Sequence, residues 1–264
     1  MTVVKVVAKS AFALVDLALP RLAGTRVLIY HQVGTDLGRE MEVPARAFAR
    51  QLDWMRTHGG IVDLETAIDR RDDPVAEGRF VLTFDDGFAD VHRHAFPLLR
   101  EHGIPFTLYL TTRPVDTGKP MDPRHPDARP ITWGQVNEMV ATGLVTIGAH
   151  THTHPDLSEL TLDRIADELD TSNDLIEDCT GIRPRHFTYP WGRWSAKADP
   201  LVRARYDSAT VGTGPGLSAD SDVYRLHRVP VQRSDAGPLF VRKMRTGGRL
   251  EAVVRRRLRG YEGG

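Results

Sequence analysis

A chain of 264 residues with 41% hydrophobic and 27% charged side chains has material for one well-filled soluble core. Its 35 Lys and Arg balance 35 Asp and Glu, so net charge leaves no electrostatic footprint for a nucleic-acid partner, and none is expected. The lone cysteine, Cys179, excludes an internal disulfide framework and a thiolate zinc cluster within one chain. It falls in a helical pattern, where a buried, inert thiol is expected.

The chain opens with "MTVVKVVAKSAFALVDLALPRLAG", an apolar run from Ala11 to Leu19 interrupted by Asp16 and preceded by Lys5 and Lys9. The run is too short for a spanning helix and poorly ordered for a secretory signal. Residues 1–25 therefore read as an amphipathic segment, packed on the domain or on a membrane surface. The main domain is expected over residues 26–234. There, strand-like runs at "RVLIYH", "RFVLTFD", "FTLYLTT", "LVTIGAH", "HFTYP", "SATVG" and "RLHRVPV" alternate with helical periods.

Phe48, Leu52 and Met55 recur at helical spacing and Gly59-Gly60 makes a stop. Thr132 is placed as an N-cap ahead of "WGQVNEMVATG". Leu162, Ile165, Leu169 and Ile176 share one helical face, with Gly181 as C-cap. The stretch from Arg113 to Pro130, rich in proline and charge, reads as a long loop. Strands separated by helices imply parallel pairing with right-handed crossovers, and seven such strands suit an α/β barrel better than an open sheet, the two being barely separable from sequence. Residues 235–264 form a basic tail carrying Arg242, Lys243, Arg245, Arg249, Arg255, Arg256, Arg257 and Arg259.

Two motifs carry chemistry. Asp85 and Asp86 follow the run "FVLTF", with Cα atoms about 3.8 Å apart, and adjacent like charges repel. A cation beside them, or different work for each, would account for the pair. The second motif is "VTIGAHTHTHPDL". If the chain turns helically after that strand, His150 and His154 face one way and His152 another. Two imidazoles and one carboxylate of the Asp pair make a catalytic metal site with open positions. The remaining carboxylate is then free to take a proton from a water activated by the metal.

With these residues in view, the chain resembles the polysaccharide deacetylase (NodB-homology) family of carbohydrate esterases, from roughly Arg26 to Val231. "LIYHQV" looks like the family's opening strand and "TFDDGFAD" like its first catalytic motif. "ITWGQVNEMVATGLVTIGAHTHTHPDL" is similar to the run into the second, and "CTGIRPRHFTYPWG" to a Tyr-Pro-x-Gly form of the third. The resemblance implies a distorted seven-stranded (β/α) barrel that removes acetyl groups from N-acetylated sugars of a glycan or glycan precursor. It implies Asp85 as general base and a divalent metal, zinc foremost, on Asp86, His150 and His154. It also implies an oxyanion contact from the Trp191 backbone N–H and a sugar-facing Trp191 ring.

Tyr189 and His31 join Trp191 as expected substrate-binding residues, although His31 could equally serve a structural hydrogen bond. His227 in "RLHRVPV" is the candidate general acid, with a core histidine as the competing reading. Two departures stand out. Thr188 occupies the place of the arginine that orients the family's catalytic aspartate, and neither Arg183 nor Arg185 has matching spacing. His227 directly follows Leu226, whereas the family's histidine stands two residues after that leucine.

The competing functions are amide hydrolysis on a small molecule and a non-catalytic carbohydrate-binding barrel. The chain is expected in the cytoplasm rather than secreted. Its basic tail and apolar N-terminal segment suit peripheral membrane contact and a lipid-linked sugar. The competing reading there is a solvated tail.

Overall fold

The computed structural model describes residues 24–35, 37–73, 78–214 and 216–247. The apolar N-terminal run and the arginines from Arg249 onward lie outside the described residues. Seven parallel strands close a barrel: β1 (Arg26–Tyr30), β4 (Phe80–Phe84), β5 (Phe106–Leu110), β6 (Val145–Ala149), β7 (His186–Thr188), β8 (Ser208–Thr213) and β9 (Leu226–Pro230). Strand β1 pairs with both β4 and β9, which completes the ring. All seven runs anticipated from the sequence are strands. A small ribbon, β2 (Gln32–Val33) with β3 (Glu42–Val43), was not anticipated, because two-residue strands leave no periodic signal.

Strict alternation sorts the strand residues between two surroundings. Outward-facing Tyr30, Phe84 and Phe106 pack with Phe48 and Phe96 from the helical layer. The inner set at the closed end is apolar, with Val27, Val81, Tyr109, Leu217 and Leu226 in one cluster. Nearer the carboxyl ends, the inner positions turn polar and include Thr83, Thr188 and Arg228, all buried.

Helix α1 (Ala45–Thr57) buries Phe48, Leu52 and Met55, each worth roughly 1.5–3 kcal/mol of transfer free energy. The short α2 (Leu64–Asp69) is capped by Asp63, and α3 (Phe96–Glu101) follows β4. Helix α4 (Thr112–Thr117) occupies the start of the expected long loop, so the irregular stretch begins only at Gly118, whose φ is 66°. Helix α5 (Trp133–Val140) carries the Thr132 cap as a full capping box with Gln135. Helix α6 (Leu162–Thr180) ends at Gly181 in the left-handed conformation, as the spacing implied. It buries Ile165, Leu169 and Ile176, but Leu162, at its first position, is 56% exposed. Cys179 near its end is half-buried rather than buried.

Helix α7 (Asp199–Arg203) precedes β8, and α8 (Pro238–Thr246) closes the described chain. That last helix corrects part of the basic-tail expectation. Lys243 is buried, and its Nζ donates to Asp235 Oδ2 at 2.5 Å and to the Pro230 carbonyl at 3.1 Å. This lysine holds the helix to the barrel and is not a surface cation. No helix among the described residues is long and apolar enough to cross a membrane.

Candidate active site

The strands end together, and the residues just past their ends meet. Asp85 N–H donates to the Tyr30 carbonyl at 3.0 Å, and His150 N–H to the Leu110 carbonyl at 2.9 Å. The ladder register therefore brings the Asp pair and the histidine run to one mouth of the barrel, the face on which βα-barrels carry their chemistry.

The two adjacent carboxylates part company at the backbone. Asp86 has a φ of 73°, left-handed and costly for a non-glycine residue, which sends its side chain away from that of Asp85. Gly87 follows at φ 76°, and a Cβ there would lie 2.9 Å from Leu110 Cδ2. The turn is pinned by Pro130 and its neighbours: Ile131 N–H donates to the Gly87 carbonyl at 2.8 Å, and Ala89 N–H to the Arg129 carbonyl at 2.9 Å.

Asp86 faces two imidazoles. Its Oδ1 lies 3.5 Å from His150 Nε2 and 3.5 Å from His154 Nε2, and the two nitrogens are 3.2 Å apart. Oδ1 is buried and has no hydrogen-bond partner. His150 Nδ1 lies 2.7 Å from the Thr188 carbonyl oxygen, so Nδ1 carries the hydrogen and Nε2 presents its lone pair to the cluster. Buried lone pairs converging this way disfavour one another unless a cation lies among them. The donor set fits a divalent metal, and it is the one such cluster among the described residues. Burial, reinforced by His150, pushes His154 down to about 4 despite Asp86, keeping its nitrogen unprotonated at neutral pH.

His150 and His154 do share a side, but not by the helical turn expected. The chain after β6 is irregular, and Thr151 (φ 67°) and His154 (φ 62°) take left-handed conformations that fold it back. Glu168 on α6 anchors this turn by accepting from Thr153 N–H at 2.7 Å and Thr153 Oγ1 at 2.6 Å. His152 leaves the cluster, its Nδ1 lying 3.0 Å from Thr112 Oγ1. His150→Ala is expected to abolish stoichiometric metal, whereas His152→Ala leaves it intact. Metal analysis of the two purified variants decides, and equal losses would count against this ligand set.

Asp85 is held differently. Arg228 on β9 donates to both its oxygens, Nη1 to Oδ1 and Nη2 to Oδ2, each at 2.7 Å. The same guanidinium donates to Thr83 Oγ1 at 2.8 Å and Thr188 Oγ1 at 2.7 Å. Burial alone would raise the Asp85 carboxyl; Arg228, helped by His150 and His31, outweighs it and holds the carboxyl below its ordinary range. Sequence reasoning missed Arg228. It stands two residues after Leu226, where the resemblance places a histidine, and it bonds Thr188, where the resemblance places an arginine. A charged residue at an inward position of an apolar strand was the available signal. Arg183 and Arg185 do not substitute: they pair with Asp174 and Glu177, and with Asp207 and Glu65, on exposed surfaces.

Arg228 also settles the direction of its neighbour. Alternation on β9 puts His227 on the opposite side of the strand, outside the barrel. Its Nδ1 lies 3.4 Å from the Gly212 carbonyl oxygen, and its ring fills the space a side chain on Gly214 would need, 2.2 Å from that Cβ position. His227 thus lies on the side of β9 opposite that on which Arg228 meets Asp85. Tyr189 is corrected as well. It is fully buried, packed edge-on against Phe187, and its hydroxyl lies on the side of Asp199, so its ring does not reach a substrate.

Trp191 is 63% exposed, with a left-handed φ of 62° and its ring edge-on to His154 at 4.8 Å. Its turn sits tightly on β8, where a Cβ on Gly192 would lie 2.7 Å from Gly212 Cα. His31, directly after β1, is half-buried at the mouth, near enough to Asp85, Asp86 and His154 to act on them electrostatically.

Residues 72–206 match the family model described as polysaccharide deacetylase. YxkH of Bacillus subtilis is 28% identical over 218 residues, covering 81% of this chain and 74% of that protein. The poly-beta-1,6-N-acetyl-D-glucosamine N-deacetylase of Escherichia coli is 30% identical over 122 residues, 43% of this chain, a match that spans 18% of that enzyme. Among solved structures, IcaB from Ammonifex degensii superposes with a TM-score of 0.70 at 26% identity, covering 81% of this chain and 94% of that one. The deacetylase PplD of Streptococcus pyogenes shares the fold, with a TM-score of 0.71 at 22% identity over 85% of this chain and 99% of that one. By its matched residues and its closed seven-stranded barrel, the chain belongs to the polysaccharide deacetylase family.

Proposed function

We propose that this protein is a metal-dependent hydrolase that removes acetyl groups from the N-acetylated sugars of a glycan. The observation that carries the reading is the division of labour between adjacent carboxylates, Asp85 locked on Arg228 and Asp86 facing His150 and His154. The printed activity of the Escherichia coli relative and the fold shared with IcaB support it. Two imidazole nitrogens and one carboxylate oxygen suit zinc. A divalent cation held there would polarise the acetyl carbonyl and favour attack by water.

Asp85, ionised at neutral pH, accepts a proton from the attacking water as the new C–O bond forms. The Trp191 backbone at the rim is the nearby candidate to receive developing oxyanion charge, and its exposed ring is a wall for a sugar face. His31 is the group best placed to hand a proton to the amide nitrogen as the C–N bond breaks, leaving acetate and a free amine. Of the two histidines near enough to Asp85 to act on it electrostatically, His150 faces the metal cluster, which leaves His31.

The test is acetate release from a panel of N-acetylated glycans, lipid-linked sugars and small sugars, with chelator and metal add-back. Release from none of them, with metal restored, would end the reading. Within that assay, His31→Ala is expected to slow N-acetyl substrates on the order of 10²-fold or more, with a much smaller loss on activated aryl acetates, whose leaving groups need no proton. His227→Ala is expected to change neither. An amide-selective loss in His227→Ala would return the acid role to that residue.

A further inference from the structure

Asp90 lies four residues beyond Asp86, at the entry to a π-helical turn over Val91–Ala95. Such turns are rare and gather at functional sites. The Asp90 side chain is buried and is not part of the metal cluster. Its Oδ2 accepts from Gln32 Nε2 at 3.1 Å, and its Oδ1 accepts from Val33 N–H at 3.3 Å. Gln32 and Val33 are the two residues that follow His31.

The same turn brings His94 against the next residue of that segment. Gly34 has a φ of 81°, and a Cβ there would lie 2.9 Å from His94 Cγ. On its other side the segment is paired with β3, Gln32 against Glu42 and Val33 against Val43. The backbone leaving His31 is therefore gripped between β3 and the π turn, and Asp90 supplies the polar half of the grip. Burial, with Glu42 adding to it, pushes the Asp90 carboxyl up to about 7, so an acid at this position costs stability. Such costs concentrate where a site demands them.

We propose that Asp90 is a positioning residue for the reaction: it fixes the Gln32–Val33 backbone and so holds the His31 imidazole at the barrel mouth for proton transfer to the leaving nitrogen. The inference rests on the reading of His31 as the proton donor. It joins the Asp-Asp-Gly turn to the opening strand, so that one continuous segment, from Asp85 to His94, supplies the base, a metal ligand and the support for the acid.

The test compares Asp90→Ala, Asp90→Asn, His31→Ala and the His31→Ala/Asp90→Ala double variant on two probes. One is an oligomer of β-1,6-linked N-acetylglucosamine scored by acetate release; the other is 4-nitrophenyl acetate. Asp90→Ala is expected to lose kcat on the oligomer by roughly 10-fold to 10²-fold, as a misplaced catalytic group does, with KM and metal content little changed. Its loss on the aryl ester is much smaller. Asp90→Asn keeps an oxygen for the Val33 N–H and recovers most of the rate. The double variant is no slower than His31→Ala, because both changes act through one imidazole.

A selective His31→Ala beside an Asp90→Ala that slows both probes alike overturns this inference alone. A His31→Ala that is itself non-selective overturns the donor assignment and this inference with it. Should Asp90→Ala fail to fold, Gln32→Met removes one of the two bonds without emptying the site. A smaller selective loss in Gln32→Met then supports the proposal, and its absence overturns it.

Discussion

Asp85→Asn is expected to retain the metal and lose turnover by a factor on the order of 10² or more, the cost of a missing general base. Asparagine keeps the shape of the side chain but cannot take a proton, while the cluster of Asp86, His150 and His154 is untouched. Asp86→Asn has the opposite signature. It removes the carboxylate whose buried Oδ1 faces both imidazoles, so metal affinity falls together with activity. Metal stoichiometry measured beside acetate release separates the two carboxylates. If Asp85→Asn strips the metal while Asp86→Asn retains it, the roles are reversed and the base must be sought at Asp86.

The meeting of Asp86, His150 and His154 was legible in the sequence, and the barrel was legible as the better of two arrangements for its strands. Seven short apolar runs separated by helical periods suit a closed barrel somewhat better than an open sheet, and all seven are strands of the barrel. The approach of His150 to His154 was anticipated for the wrong reason. Spacing suggested a helical turn, whereas the chain uses left-handed Thr151 and His154, conformations that residue type does not announce. His227 and Tyr189, expected at the site, point outward because strand alternation is set by register. Arg228 and Glu168 escaped notice because their partners lie 143 and 15 residues away, and the one local sign, a charge at an inward strand position, marks Arg228 without naming its partner. Long-range hydrogen bonds are written in the topology, not in a motif.

Arg228→Met should have the larger effect on stability. The guanidinium and the Asp85 carboxylate are both almost fully buried, and removing one partner leaves the other charge without compensation, a loss of roughly 3–5 kcal/mol. Thr83 and Thr188 lose a donor in the same step. The pH dependence follows from the direction of the Asp85 shift. In the native protein the Asp85 carboxyl is held below its unfolded value, so its contribution is present above that value and is lost as pH falls through the folded one. Without Arg228, burial is no longer outweighed and raises the carboxyl, so the variant gains stability relative to the native protein as pH falls. Denaturant unfolding should therefore show a deficit that is greatest near neutral pH and narrows in acid. The acid limb of the activity profile moves to higher pH for the same reason, since the base is protonated sooner. The double variant Arg228→Met/Asp85→Asn buries no net charge at this point and is expected to recover much of the lost stability while staying inactive. A double variant no more stable than Arg228→Met alone would mean that the guanidinium acts on the barrel through Thr83 and Thr188 rather than through the catalytic carboxylate.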